Sequence, residues 1–267
     1  MPLINFLGNI RMFKTMLIVL FMFMSFSLQA EDFSEFKGRS LSFDQEEIIA
    51  DNLMDWVAAN HINAEKKLLA SEYNAMKDYG RVDHDVMNEF VRAGEPTDFL
   101  VPWMYEAVKK KVGNLRKALN KLPNYKGTVY RGSSIKNDLL NKIKVGDIVH
   151  EKAFLSTSTN SNVARNFSAA GVYQDVSAAQ FKIDLKSSGR AINNYTFKAQ
   201  EAEVLVKPDT YFQVQAIERL SAEKNFIKLK EVKNPARHLQ ADPRVNIYDS
   251  FSGDEVALRS RSSLACW

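Results

Sequence analysis

Apolar residues in the first half of the chain recur every three to four positions, the spacing that lines one face of a helix. Ser42 with Gln45 forms a capping box, and Ile49, Leu53, Trp56 and Val57 follow on one face. Leu69, Tyr73 and Met76 mark a second helix and Val86 to Val91 a third. A fourth carries Val108, Val112, Leu115, Leu119 and Leu122 inward, with Lys109, Lys110, Lys117 and Lys121 outward, and Pro123 stops it. Beyond Pro123 the period falls to two, in runs over Thr128–Arg131, Asp147–Thr157, Gln180–Leu185, Glu201–Val206, Tyr211–Ile217 and Phe226–Val232. Helices first and strands afterwards, without alternation, predict an α+β domain with a mostly antiparallel sheet system. After Val232 the pattern lapses around Pro235, Pro243 and Ser250–Gly253, so residues 233–267 read as a loosely packed tail.

The N-terminus belongs to a different category. Arg11 and Lys14 precede an unbroken apolar run from Met16 to Met24, and Ser25-Phe26-Ser27-Leu28-Gln29-Ala30 follows. That order predicts a secretory signal peptide over residues 1–30, because the run is shorter than the ~20 residues that span a bilayer. The expected organisation is therefore signal peptide 1–30, a single main domain 31–232 and tail 233–267. Removing the first 30 residues leaves 34 basic against 32 acidic side chains, a net charge of +2, so a basic surface for nucleic acid is not expected. Of the 267 residues one is cysteine, Cys266, which excludes an intrachain disulfide.

Candidate chemistry gathers in the strand-rich half. Glu201 and Glu203 are spaced i and i+2, and on an extended strand they would project from one face about 6 to 7 Å apart, with Ala202, Val204 and Val206 opposite. Such a pair is also what the wet face of an ordinary sheet presents, so its company matters. Upstream stand Val129-Tyr130-Arg131-Gly132 and then Phe154-Leu155-Ser156-Thr157-Ser158-Thr159. A guanidinium has the planar fork that suits phosphate oxygens, and a fixed carboxylate can stabilise an oxocarbenium-like transition state. The histidines His61, His84, His150 and His238 have no metal-ligand spacing, so no metal is expected.

Arginine, then Ser-Thr-Ser, then Glu-x-Glu, in this order, resembles the arginine-specific mono-ADP-ribosyltransferase toxins, whose signature is an R-S-E set. Lys77-Asp78-Tyr79-Gly80 ahead of Asn88 and Arg92 adds to the likeness, which covers about residues 65 to 232. The resemblance implies a two-sheet β core and NAD as co-substrate. It implies Glu203 as the central catalytic carboxylate, Ser156 orienting it, and Arg131, Gly132 and the Ser156–Ser158 strand binding NAD. Phe167 or Tyr173 would pack against nicotinamide, and the two stay undecided. Glu201, a glutamate where asparagine-modifying relatives have glutamine, implies an arginine acceptor. The loop Asn193–Gln200 would then meet the protein substrate through Tyr195 or Phe197, unless those rings only pack. The expectation is a secreted, monomeric transferase acting on an arginine-bearing host protein, with no nucleic acid and no stable membrane association. A secreted NAD glycohydrolase or an inactive binding module on the same fold are the alternatives.

Overall fold

The computed structural model describes residues 33–98, 101–168, 175–221 and 223–257. The expected signal peptide, Tyr173 and Cys266 lie outside those residues. The chain divides into two compact units, residues 1–38 and 39–267. The first contributes one described helical turn, α1 (Ser34–Lys37).

The second unit opens with α2 (Phe43–Glu65), begun by the expected capping box: Ser42 Oγ accepts from the Gln45 amide, and Gln45 Oε1 accepts from the Ser42 amide at 2.9 Å. Next come α3 (Ala70–Asp78), a π turn (Tyr79–Asp83) and α4 (His84–Arg92), then α5 (Pro102–Lys121) with proline at its start. Val108, Val112, Leu115 and Leu119 of α5 are buried as their spacing predicts, and they cluster with Met76, Tyr79, Met87 and Phe90. Phe154, Ile192 and Leu205 join that cluster from the strand-rich half, so the helices pack directly against the strands.

The remaining elements are β1 (Tyr125–Lys136), α6 (Asn137–Lys142), β2 (Ile148–Glu151), β3 (Leu155–Ser158), α7 (Ser161–Ser168), β4 (Val176–Ala191), β5 (Glu203–Val206), β6 (Thr210–Ser221), β7 (Lys224–Val232), α8 (Pro235–Ala241) and β8 (Ile247–Asp249). The strands follow the order β1-β3-β5-β4-β7-β6-β2-β8, and β1 also pairs with β4. Most pairings are antiparallel; β4–β7 and β2–β8 are parallel. Long β4 holds the arrangement together: it pairs with β1 along most of its length, with β7 over Ala179–Asp184 and with β5 over Gly189–Ala191, so the eight strands form one continuous sheet. Val129, Ile183, Val204, Val206, Phe212 and Ile227 are among the residues of the larger core cluster.

Two sequence expectations change. The run Asp147–Thr157 is two strands, β2 and β3, in different parts of the network, because Lys152–Phe154 leaves the β2 ladder to bury Ala153 and Phe154. The segment after Val232 is not a loose tail as far as it is described. It forms α8 and then β8, which joins the sheet edge beside β2, where Ile247 is buried with Ile148 and Val232.

Candidate active site

Antiparallel pairing brings the sequence-distant residues together. Within β3–β5, Ser156 lies opposite Leu205 and Ser158 opposite Glu203, and alternation puts Ser156, Glu203 and Leu205 on the face turned toward the helices. Val204 and Val206 fill the larger core from the other face, as the period of two requires. Glu203 is therefore a buried carboxylate at the head of a strand, with 8% of its surface exposed. Burial is the main reason its pKa is pushed up to about 7. A hydrogen bond from Ser156 opposes that rise, the negative charge of Glu201 adds to it, and Lys198 and Arg131 pull it down.

Ser156 is itself held from behind. Asn88 Oδ1 accepts from the Phe154 amide at 3.1 Å, which fixes the Asn88 amide and aims its Nδ2 at the Tyr79 hydroxyl, also 3.1 Å away. The Tyr79 oxygen thus accepts from Asn88 and its proton points on to Ser156 Oγ at 3.4 Å, leaving the Ser156 proton for Glu203. With Glu203 ionised, donors run in one direction, from Asn88 through Tyr79 and Ser156 to the carboxylate. Tyr79 is fully buried and its pKa is pushed up to about 12, chiefly by burial, so its proton stays in place. It sits on the π turn between α3 and α4, an irregularity common at functional sites. Residues 77–80 entered the resemblance as a string; the role of Tyr79 depends on contact with a residue 77 positions away, which periodicity cannot show.

Arg131, on β1, donates from Nη1 to the Ser156 carbonyl oxygen at 2.8 Å and so abuts the same strand. Burial lowers its pKa, against the opposing carboxylate of Glu151. A second guanidinium stands beside it. Arg92 Nε lies 3.9 Å from Glu151 Oε1 but makes no hydrogen bond among the described residues, although it is buried. Arg92, Arg131 and Glu151 line a cavity of about 100 Å³ together with apolar core residues such as Leu155, Phe181 and Ile183. Two partly buried guanidiniums facing one carboxylate leave an excess of positive charge suited to an anion.

Gly132 follows Arg131 for a steric reason. A Cβ there would stand 1.7 Å from the carbonyl oxygen of Ala164 and 2.6 Å from the Ser168 nitrogen, so α7 rests directly on its backbone. Gly132→Ala is expected to force α7 away and cost about 2–3 kcal/mol, read by denaturant unfolding; an unchanged midpoint would mean the helix yields freely. Phe167, on the same α7, is 54% exposed. It is a surface ring rather than core, while Tyr173 lies outside the described residues.

Glu201 is where the strand-face expectation fails. A 3₁₀ turn spans Ala199–Glu201, and Ala202 then adopts a left-handed conformation, φ 45° and ψ 53°. That kink breaks the alternation, so Glu201 and Glu203 are not neighbours on one strand face. Glu201 instead pairs with Lys198 at 3.0 Å on the exposed loop, close enough for its charge to act on Glu203. The Ala202 side chain is buried in the larger core, which holds this costly backbone in place.

Thr157 and Ser158, expected at NAD, have their hydroxyls engaged within the protein. Thr157 Oγ1 donates to the Val204 carbonyl at 2.5 Å, and Ser158 Oγ donates to the Glu201 carbonyl at 2.6 Å while accepting from Asn160. Both brace β5 and the Glu201 turn. Tyr195, expected at the protein substrate, is 4% exposed, with its hydroxyl 2.9 Å from Glu65 and 3.1 Å from His61. It anchors the loop. Phe197 is the exposed aromatic, 55% accessible, with Lys77 and Arg81 over its ring at 4.7 and 5.6 Å.

A helix-flanked, mostly antiparallel fold that brings Arg131 against Ser156 and Ser156 against Glu203 defines an ADP-ribosyltransferase. The chain belongs to the ADP-ribosyltransferase exoenzyme family, whose model matches residues 54–234. It is 30% identical over 255 residues to Vis of Vibrio splendidus (strain 12B01), a named candidate NAD(+)–arginine ADP-ribosyltransferase, covering 95% of this chain and 99% of Vis. The crystal structure of Vis with the M6 inhibitor superposes at a TM-score of 0.76, covering 85% of this chain and all of that one (100%). The structure of Vis in complex with agmatine gives 0.73 at 30% identity, with the same coverage.

Proposed function

We propose that this chain is exported with residues 1–30 removed, cleaves NAD at the nicotinamide–ribose bond and transfers ADP-ribose to arginine of a host protein. The observation that carries this reading is Glu203: a buried carboxylate, oriented by Ser156, with a second carboxylate on the adjoining turn. When the glycosidic bond breaks, nicotinamide leaves as a neutral base with the bonding electron pair, and the positive charge passes from its ring nitrogen to the ribose. Glu203 in its ionised form stabilises that charge, and the low-polarity surroundings that raise its pKa also strengthen the attraction. Activity should therefore rise with pH through about 7 as the Glu203 proton is lost.

Arg131 and Arg92 are the groups to hold the diphosphate, and Gly132, with Phe167 or Tyr173, the nicotinamide side. An acceptor guanidinium has a pKa above ~12, so it needs a carboxylate to orient it and take its proton. Glu201 serves that purpose, with the acceptor cation replacing Lys198, and exposed Phe197 meets the protein substrate. The agmatine complex of Vis, which is similar over nearly its whole length, supports a guanidine acceptor. The test is to incubate the protein with NAD and agmatine and separate the products: ADP-ribosylated agmatine forming faster than free ADP-ribose supports transfer, and free ADP-ribose alone would make the protein a glycohydrolase.

A further inference from the structure

The turn after β8 plays no part in the site as built so far, yet it lines the same cavity as the arginine pair. Ser250 and Phe251 line the cavity with Arg92, Arg131 and Glu151. The turn is firmly made. Ser250 N donates to the His150 carbonyl at 3.0 Å and Ser250 Oγ to Glu151 Oε2 at 2.8 Å. Asp249 Oδ1 accepts from the amides of Phe251 and Ser252 at 2.9 and 2.7 Å, and its other oxygen lies 2.7 Å from Lys152 Nζ. Gly253, at φ 77°, supplies the left-handed residue that the reversal needs.

None of these contacts uses the Phe251 side chain. Its ring is 61% exposed and lies against the Arg92 guanidinium, 4.5 Å from carbon to centroid. A rigid turn thus holds an apolar ring in solvent, with the guanidinium beneath it. A chain of contacts links the two places: Glu203 with Ser156, the Ser156 carbonyl with Arg131, Arg131 with Arg92 in the cavity lining, and Arg92 with the Phe251 ring. NAD is likewise a chain of parts: nicotinamide riboside, then diphosphate, then adenosine. With the glycosidic bond at Glu203 and the diphosphate at the arginine pair, the adenosine falls at Phe251.

Resting on the NAD reading above, we infer that Phe251 is the stacking surface for the adenine of NAD, and that the Ser250–Phe251 turn closes the adenosine end of the site. A purine has an extended π face, and stacking on one side of the ring while Arg92 occupies the other requires no rearrangement of the turn. The segment beyond Val232 would then supply part of the substrate site.

The experiment is calorimetric titration of the full chain, wild type, Phe251→Ala and Phe251→Trp, with NAD and with nicotinamide mononucleotide, which lacks the adenylate. Phe251→Ala should weaken NAD at least about fivefold, Phe251→Trp should restore it, and mononucleotide binding should stay the same in all three. An unchanged NAD affinity in Phe251→Ala overturns the inference. Equal weakening of NAD and mononucleotide also overturns it, because the ring would then act only by positioning Arg92. A wild-type chain that binds neither ligand refutes NAD use itself, a result distinct from either.

Discussion

Glu203→Gln is expected to lower NAD cleavage by at least ~10², with water or with a guanidine as acceptor, and at the same time to make the protein more stable at neutral pH. The first effect follows from removing the charge opposite the developing oxocarbenium ion. The second follows from linkage. Burial raises the Glu203 pKa from 4.5 to about 7, so between those values the folded chain keeps a proton that the unfolded chain has lost. Stability from this group is complete below pH 4.5 and is lost as pH rises through 7. Glutamine bears no charge at any pH, so the variant should escape the loss, gaining about 2–3 kcal/mol at pH 8 and converging with wild type near pH 4. Denaturant unfolding across that range, beside NAD-consumption rates, checks both. A variant less stable at pH 8 than wild type would mean that Glu203 contributes more as a structural hydrogen-bond acceptor than it costs as a buried charge.

Glu201→Gln should behave differently in kind. Glu201 sits on the loop side of the Ala202 kink, bound to Lys198, and touches neither Ser156 nor the arginine pair through any hydrogen bond seen among the described residues. Its loss leaves the Asn88–Tyr79–Ser156–Glu203 chain intact. Transfer to agmatine should fall by about 10² or more, the scale of a lost general base, while slow hydrolysis of NAD persists within a few-fold. Because Glu201 also raises the Glu203 pKa, the residual hydrolysis should reach its plateau at a slightly lower pH. Hydrolysis and transfer lost in equal measure would place Glu201 in the NAD site or in its architecture.

These two carboxylates also show where sequence reading stops. The helices were legible because their apolar faces repeat every 3.6 residues, and Ser42–Gln45 marked the start of α2. Arg131, Ser156 and Glu203 were legible as an ordered set, and antiparallel pairing of β1, β3, β4 and β5 is what brings them together. The Glu-x-Glu strand face was not realised, because nothing about alanine at 202 announces a left-handed backbone, and the valines after it read as strand without interruption. Tyr195 lies in a loop where the sequence allows an aromatic either to face solvent or to pack, and its burial is set by His61 and Glu65 on α2. The last strand leaves no mark in the sequence, because three residues are too short for a period of two and its partner, β2, lies about a hundred positions earlier. The Phe251 turn leaves none either.

The central claim is transfer of ADP-ribose to arginine, and the most direct measurement uses labelled NAD with the protein and a cell lysate, followed by mass spectrometric identification of the modified residue. The account predicts label on arginine side chains of a protein, absent with Glu203→Gln and strongly reduced with Glu201→Gln. Label on asparagine, or NAD converted wholly to free ADP-ribose with no protein labelled, would contradict it.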